Sequence, residues 1–292
     1  MKESLHLWYN VTIVNVIALV YQTAYQYEGV EDGTGITKEG ERMLEGNLLQ
    51  MLKESRYTTA LSGYIMLLES GYPAIRDGDA SYDIEQKYGY SMEEMFSSAF
   101  YSTRKEKFYK FYRDELLSQL EKPPGKGFTG MAELERRGLI QCIITRRIFG
   151  LPRKAGCKNV IDLHGNVYDN FCPHCGRTYP MEYIRDSDRV PLCEHCKTPV
   201  RPRVCLFGEM VDNSVITRAA EEIQRADVLL VLGTNMKSYL CSQLTDYYEG
   251  KKLILVNETP HYSDRYADIV IHERVDDWIE KIQRELGDWR HE

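Results

Sequence analysis

Short, continuous apolar runs recur along the chain from residue 139 onward. They do not alternate with polar residues, which is typical of strands covered on both faces. Amphipathic stretches before three of these runs predict helices at 131–137, 214–225 and 239–249. Helix alternating with buried strand predicts an α/β fold with a Rossmann-like, doubly wound parallel sheet. The predicted strands are Leu139–Thr145, Asp227–Gly233, Leu253–Asn257 and Asp268–Ile271.

Two segments interrupt this alternation. Residues 77–127 are aromatic and charged, with helical patterns at 91–100 and 103–120, and residues 166–203 contain paired cysteines. We expect both to be insertions into the sheet domain. The predicted organisation is an N-terminal extension at 1–47, a Rossmann-like domain at 48–76, 128–165 and 204–292, a helical insertion at 77–127 and a zinc-ribbon insertion at 166–203.

Composition excludes some classes of protein. The 292 residues are 43% hydrophobic and 28% charged, which is typical of a globular chain rather than a disordered one. The formal net charge of −7 argues against a nucleic-acid partner. The apolar run at 11–21 is too short to span a bilayer, so we expect no membrane association and predict a core helix there, with a signal peptide as the alternative.

Four of the eight cysteines form two C-x-x-C pairs. Cys172 and Cys175 form the first, and Cys193 and Cys196 form the second, with 17 residues between the two pairs. Two such pairs predict a four-thiolate zinc site, which has no open coordination position and is therefore structural. A disulfide pair or a redox C-x-x-C is the alternative. The remaining cysteines are scattered, which fits a reducing cytoplasm.

Several short motifs follow the predicted strands, where ligands bind in an open parallel sheet. Leu163-His164-Gly165 comes directly before the paired cysteines, and Arg201-Pro202 with Phe207-Gly208-Glu209 comes directly after them. Gly233-Thr234 and Glu69-Ser70-Gly71-x-Pro73-x-x-Arg76 are two more. In this order, over about residues 48–280, the chain resembles the sirtuin family of NAD-dependent protein deacylases.

The resemblance implies a Rossmann-like domain and a small inserted domain that is made of a helical module plus a four-cysteine zinc ribbon. It also implies that NAD and an acylated-lysine peptide meet in the cleft between the two. The family's chemistry has the acyl oxygen attack C1′ of the nicotinamide ribose, which releases nicotinamide. His164 matches the general base, a role suited to an imidazole. The positions that match the family's cofactor-binding residues are Gly63, Arg76, Gly233, Thr234, Asn235 and Asn257.

The chain departs from the family pattern where the cofactor would react. The family's Gly-Ala-Gly-Ile-Ser is Gly63-Tyr-Ile-Met-Leu67 here, so Ile65 is expected to intrude on the pyrophosphate or to strain the loop. The family's Pro-Asp-Phe-Arg is Pro73-Ala-Ile-Arg76. The family's Thr-Gln-Asn-x-Asp is Thr145-Arg-Arg-Ile-Phe149, and neither a guanidinium nor a phenyl ring can accept a hydrogen bond as those amides and that carboxylate do.

These changes predict a sirtuin-type deacylase of weak or lost activity. One alternative is a catalytically silent sirtuin-fold module that binds a peptide, a partner or a small anionic ligand. The anion variant uses the cationic side chains at Arg76, Arg146 and Arg147. A second alternative is an ADP-ribosyltransferase, in which another nucleophile takes the ribose.

Overall fold

The computed structural model describes residues 48–73 and 78–288. Its central sheet has six parallel strands in the order β3-β2-β1-β7-β8-β9. A smaller antiparallel sheet has the order β5-β4-β6. The strands are β1 (Thr58–Ser62), β2 (Cys142–Thr145), β3 (Val160–Asp162), β4 (Gly165–Phe171), β5 (Thr178–Tyr179), β6 (Arg201–Val204), β7 (Val228–Leu232), β8 (Lys252–Val256) and β9 (Ile269–Ile271).

The order in which the chain adds strands to the central sheet reverses between β1 and β7. The chain builds outward from β1 to β2 and β3 on one side, and from β7 to β8 and β9 on the other. Strand β7 is buried at every position, as its continuous apolar sequence predicts, and it pairs with β1 from Thr58↔Val228 to Ser62↔Leu232. The predicted doubly wound, Rossmann-like class is therefore confirmed, with its switch point between β1 and β7.

Helices cover both faces of this sheet and build the helical module. The helix predicted over 239–249 ends at Leu244 and continues as a 3₁₀ turn over Thr245–Tyr247. The pattern at 103–120 contains a π-helical turn, Tyr112–Leu116, and a 3₁₀ turn, Leu117–Glu121. The α-helices are α1 (48–54), α2 (Ile65–Glu69), α3 (Gly78–Tyr88), α4 (Met92–Met95), α5 (Ser98–Thr103), α6 (Lys105–Phe111), α7 (Lys126–Arg136), α8 (Leu151–Lys154), α9 (Met181–Arg185), α10 (Asn213–Arg225), α11 (Tyr239–Leu244) and α12 (Val275–Asp288).

The small sheet is connected to the large one through two adjacent strand ends. Gly165 at the start of β4 pairs with Val204 at the end of β6, so the chain enters and leaves the cysteine-containing segment at one point. A Cβ on Gly165 would lie 1.8 Å from the backbone oxygen of Arg203, so this crossing requires glycine.

Three predictions fall outside the described residues. They concern the extension at 1–47, its core helix at 11–21, and Arg76 in the cofactor set. Within residues 48–73 and 78–288, we find no helix that combines the length and the apolar composition needed to cross a bilayer.

Candidate active site

Two glycines bring the chain into close contact at the switch point. Gly63 directly follows β1 and Gly233 directly follows β7; the Gly63 amide donates to the backbone oxygen of Leu232 at 2.8 Å. A Cβ on Gly63 would lie 2.3 Å from the Gly233 oxygen and 2.5 Å from the Thr234 Cβ. Gly233 has a φ of +64°, which other residues rarely adopt. Three predicted cofactor residues, Gly63, Gly233 and Thr234, therefore meet at one point.

The two predicted asparagines lie along the same sheet edge. Asn235 follows Thr234, and its side-chain oxygen accepts from the Lys237 amide at 3.0 Å. Asn257 directly follows β8 and is 6% exposed. Its Nδ2 donates to the Thr259 oxygen at 2.7 Å, and its buried Oδ1 has no hydrogen-bond partner among the described residues. A buried acceptor at the carboxyl end of β8, one strand from the switch point, suits a ligand hydroxyl, so this edge fits the sugar end of a dinucleotide.

The side chain proposed as the general base is already engaged by a cation. His164 lies between β3 and β4, and its backbone oxygen accepts from the Cys205 amide at 2.9 Å. Arg146 Nε donates to His164 Nε2 at 3.0 Å. Because a guanidinium can only donate, this contact requires a neutral imidazole with its lone pair on Nε2. A proton placed on that nitrogen would break the contact and put two cations together.

Arg146, Arg147 and Phe149, the three changed residues of the loop after β2, all face tyrosine rings. The Arg146 guanidinium lies 4.2 Å from the ring centroid of Tyr239, and that of Arg147 lies 5.0 Å from the ring centroid of Tyr64. Phe149 is 7% exposed and packs on Tyr72 with ring centroids 4.8 Å apart. The position at which the family has a hydrogen-bonding carboxylate is therefore part of a buried aromatic pair.

These residues line a cavity of about 290 Å³ next to His164. Its walls come from the loop after β2, from α2 and the chain after it, and from the helical module. Among the residues that the structure describes here, two guanidinium groups and a phenyl ring occupy positions at which the family has hydrogen-bond acceptors, so this part of the wall does not fit the reactive end of NAD. The residues that define it best are Tyr64, Tyr72, Arg146, Arg147, Phe149 and His164.

The expected backbone strain at Ile65 is absent. Among the described residues, Lys197 is the sole non-glycine with a positive φ. Ile65 instead starts helix α2, and its amide donates to the Gly233 oxygen at 3.0 Å. The chain turns into a helix directly after Tyr64, so a β-branched residue is accommodated there without a left-handed conformation.

A short turn, residues 206–209, lies between the helical module and the cavity, and the Glu209 amide donates to the Leu206 oxygen at 3.0 Å. The Phe207 amide donates to the Phe96 oxygen at 3.0 Å, and the Phe207 oxygen accepts from the Ser98 amide at 2.9 Å. Gly208 follows with a φ of +85°. Glu209 forms an ion pair with Arg201 and accepts from the Leu206 amide. This segment, 206–209, forms one wall of the cavity mouth.

The four predicted zinc ligands form one cluster. All four sulfurs lie within 4.8 Å of one another, with Cys172 and Cys196 at 3.3 Å and Cys175 and Cys193 at 3.6 Å. A Zn–S bond of about 2.3 Å places tetrahedral sulfurs about 3.8 Å apart, so the cluster fits Zn²⁺. The Tyr179 hydroxyl donates to Cys193 Sγ at 3.1 Å and holds the pKa of that thiol below its usual range, which favours the thiolate that binds metal.

Comparison with known proteins identifies consistent relatives. The model of the Sir2 family matches residues 66–239. A protein named NAD-dependent protein deacetylase from Clostridium acetobutylicum is 33% identical over 236 residues, covering 80% of this chain and 96% of its own. One of the same name from Thermotoga maritima is 32% identical and covers 82% and 97%.

Solved structures agree with the sequence relatives. A sirtuin from work on the structural basis of sirtuin substrate affinity has a TM-score of 0.74 at 31% identity and covers 82% of this chain and 98% of its own. A structure of Sir2Tm bound to a propionylated peptide has a TM-score of 0.70 at 30% identity and covers 83% and 98%.

Proposed function

Because this chain belongs to the Sir2 family, we propose that it binds acylated lysine on a peptide or protein but turns over NAD weakly or not at all. The family consists of NAD-dependent protein deacylases, so deacylation is the ancestral reaction. The observation that carries the proposal is the 3.0 Å contact from Arg146 to His164. A base whose lone pair is held by a guanidinium is a poor acceptor for a ribose proton.

The residues around this contact support the same conclusion. Phe149 cannot accept a hydrogen bond from a carboxamide, and Arg147 cannot replace an amide that both donates and accepts. Losing one such catalytic contact typically costs about 3–4 kcal/mol of transition-state stabilisation. Two or three losses at one site would reduce the rate by several orders of magnitude, although such losses need not add.

Retained features support binding of a peptide. The segment 206–209 keeps its ordered backbone against the helical module, and its own carboxylate, Glu209, is paired with Arg201. The Phe207 side chain is exposed beside the cavity and offers an apolar contact to a peptide. The four-cysteine cluster supports a zinc ribbon, whose thiolates must stay reduced, and this favours a cytoplasmic location.

A catalytically silent binding module is the second candidate. The aromatic pair of Phe149 and Tyr72 favours it, because a packed core contact has replaced a polar one at the reaction site. ADP-ribosyl transfer would use the same end of NAD, so the same substitutions argue against it. We therefore rank binding without turnover above transfer to another nucleophile.

The test measures binding and turnover separately. We expect an acetyl-lysine peptide to bind by calorimetry, while nicotinamide release with NAD and that peptide stays near the no-enzyme background. The matched control is His164→Ala, which should leave the residual release unchanged. Release at the rate of an active family member, abolished by His164→Ala, would overturn the proposal.

A further inference from the structure

The cavity beside His164 combines two fixed cations with an apolar wall. Arg146 and Arg147 each stack on a tyrosine ring, which restrains the plane of the guanidinium. A guanidinium carries five N–H donors in a fixed fork, and Arg146 directs its Nε to His164. Restrained forks of this kind bind planar anions through two parallel hydrogen bonds.

The acidic residues that line the same cavity are paired with other groups. Glu115 Oε1 forms an ion pair with Lys87 at 2.7 Å and accepts from the Tyr88 hydroxyl at 2.6 Å. Glu209 is paired with Arg201. The loop after β2 therefore brings positive charge into the cavity, while the carboxylates on its wall are already compensated.

Most of the remaining wall is apolar. Tyr72 is 3% exposed and packs on Phe149, with Leu67, Met92 and Leu116 also buried along the wall. Burial raises the pKa of Tyr72 to about 12, so its hydroxyl keeps its proton at neutral pH and adds no negative charge to the wall.

We propose that this cavity binds a carboxylate on a short apolar chain, with the carboxylate against Arg146 and Arg147 and the chain against Tyr72 and Phe149. The volume of about 290 Å³ holds roughly ten water-sized groups, which matches an acid of about six to eight carbons. This goes beyond acyl-lysine binding, because it assigns an anionic ligand to the place where the family's reaction would occur. Such a carboxylate could be a free organic acid or the end of an acyl chain on lysine.

Calorimetry on the full-length protein tests the proposal with hexanoate, its neutral isostere hexanamide, and inorganic phosphate. We expect hexanoate to bind at least tenfold tighter than hexanamide and tighter than phosphate. Arg147→Gln should weaken hexanoate at least tenfold. The matched control is Arg203→Gln, an exposed arginine that lies over Phe171 outside the cavity and should leave binding unchanged. Thermal unfolding of each variant confirms that it is folded.

Two peptide probes distinguish the sources of the carboxylate. One carries lysine acylated with a six-carbon chain ending in a carboxylate, and the other carries hexanoyl-lysine. If the carboxylate peptide binds tighter than both free hexanoate and the neutral peptide, the ligand is an acyl-lysine; if free hexanoate binds as tightly, it is a free acid. The proposal is overturned if no carboxylate probe binds, if hexanamide binds equally, if phosphate alone binds, or if Arg147→Gln has no effect. None of these results depends on nicotinamide release.

Discussion

If NAD turnover is weak, as we propose, replacing the two arginines after β2 with the family's residues should raise it. In Arg146→Gln/Arg147→Asn, the guanidinium that donates to His164 Nε2 is removed, and an amide that donates and accepts is returned at each position. The imidazole lone pair then becomes available to a ribose hydroxyl. We leave Phe149 unchanged in this variant, because replacing a buried aromatic that packs on Tyr72 would cost stability as well.

The size of the gain follows from the contact that is removed. A hydrogen bond to a charged group contributes about 1.5–3 kcal/mol, and the base must give it up before it can take a proton. Each 1.36 kcal/mol is a factor of ten in rate, so freeing His164 alone should raise turnover about 10- to 150-fold. Arg147→Asn should raise turnover further by ordering the ribose.

Single-turnover nicotinamide release with saturating acetyl-lysine peptide measures this gain, with NAD binding followed by calorimetry. The double variant should exceed the wild type by at least tenfold, and His164→Ala in that background should remove the gain. Arg203→Gln is the control for loss of one positive charge. If the double variant binds NAD yet releases nicotinamide no faster than the wild type, the reasoning about Arg146 and His164 is refuted.

Three further predictions concern metal, pH and packing. The protein should contain about one zinc per chain by metal analysis. Cys193→Ser should lose both the zinc and thermal stability, whereas the control Cys241→Ser should keep the zinc. Metal-free protein purified without chelator would contradict this prediction. Burial, followed by repulsion from Asp276, raises the pKa of Glu69 from 4.5 to about 7, so the native state binds more protons than the unfolded state in that range and the Glu69 contribution to stability is lost as pH rises from 4.5 to 7. Urea unfolding at pH 5 and 8 should show a smaller loss in Glu69→Gln, and an unchanged loss would exclude Glu69 as its source. Gly63→Ala should destabilise the protein by at least 2 kcal/mol in the same assay, because the added Cβ would meet the Gly233 backbone. The control Gly287→Ala has open space around the added Cβ and should be close to neutral. Equal effects would contradict the close approach of the two strands.

Much of the sheet could be predicted because its strands are continuous apolar runs. The runs at 227–233 and 253–257 correspond to β7 and β8 within one or two residues. Strand β3 was missed because only two of its three residues, Val160 and Ile161, are apolar. Helix α12 was also missed, although Trp278, Ile279, Ile282 and Leu286 recur at helical spacing and are all buried.

The contact between Arg146 and His164 depends on the missed strand. Thr145 at the end of β2 pairs with Asp162 at the end of β3, so the residues that follow each strand are neighbours. Sequence comparison with the family's motifs indicated that position 146 had changed, but not where its side chain would go. Without β3 there was no reason to place it on the imidazole, 18 residues further along the chain.

The pairing of Gly165 with Val204 connects the zinc ribbon to His164 through the backbone. His164 precedes that junction and Cys205 follows it, and a backbone hydrogen bond joins these two residues. Oxidation of the four cysteines would release the bound zinc and destabilise β4 and β6 where they meet. Loss of order in the ribbon would therefore reach His164 through the backbone, without a change in the side chains that line the cavity.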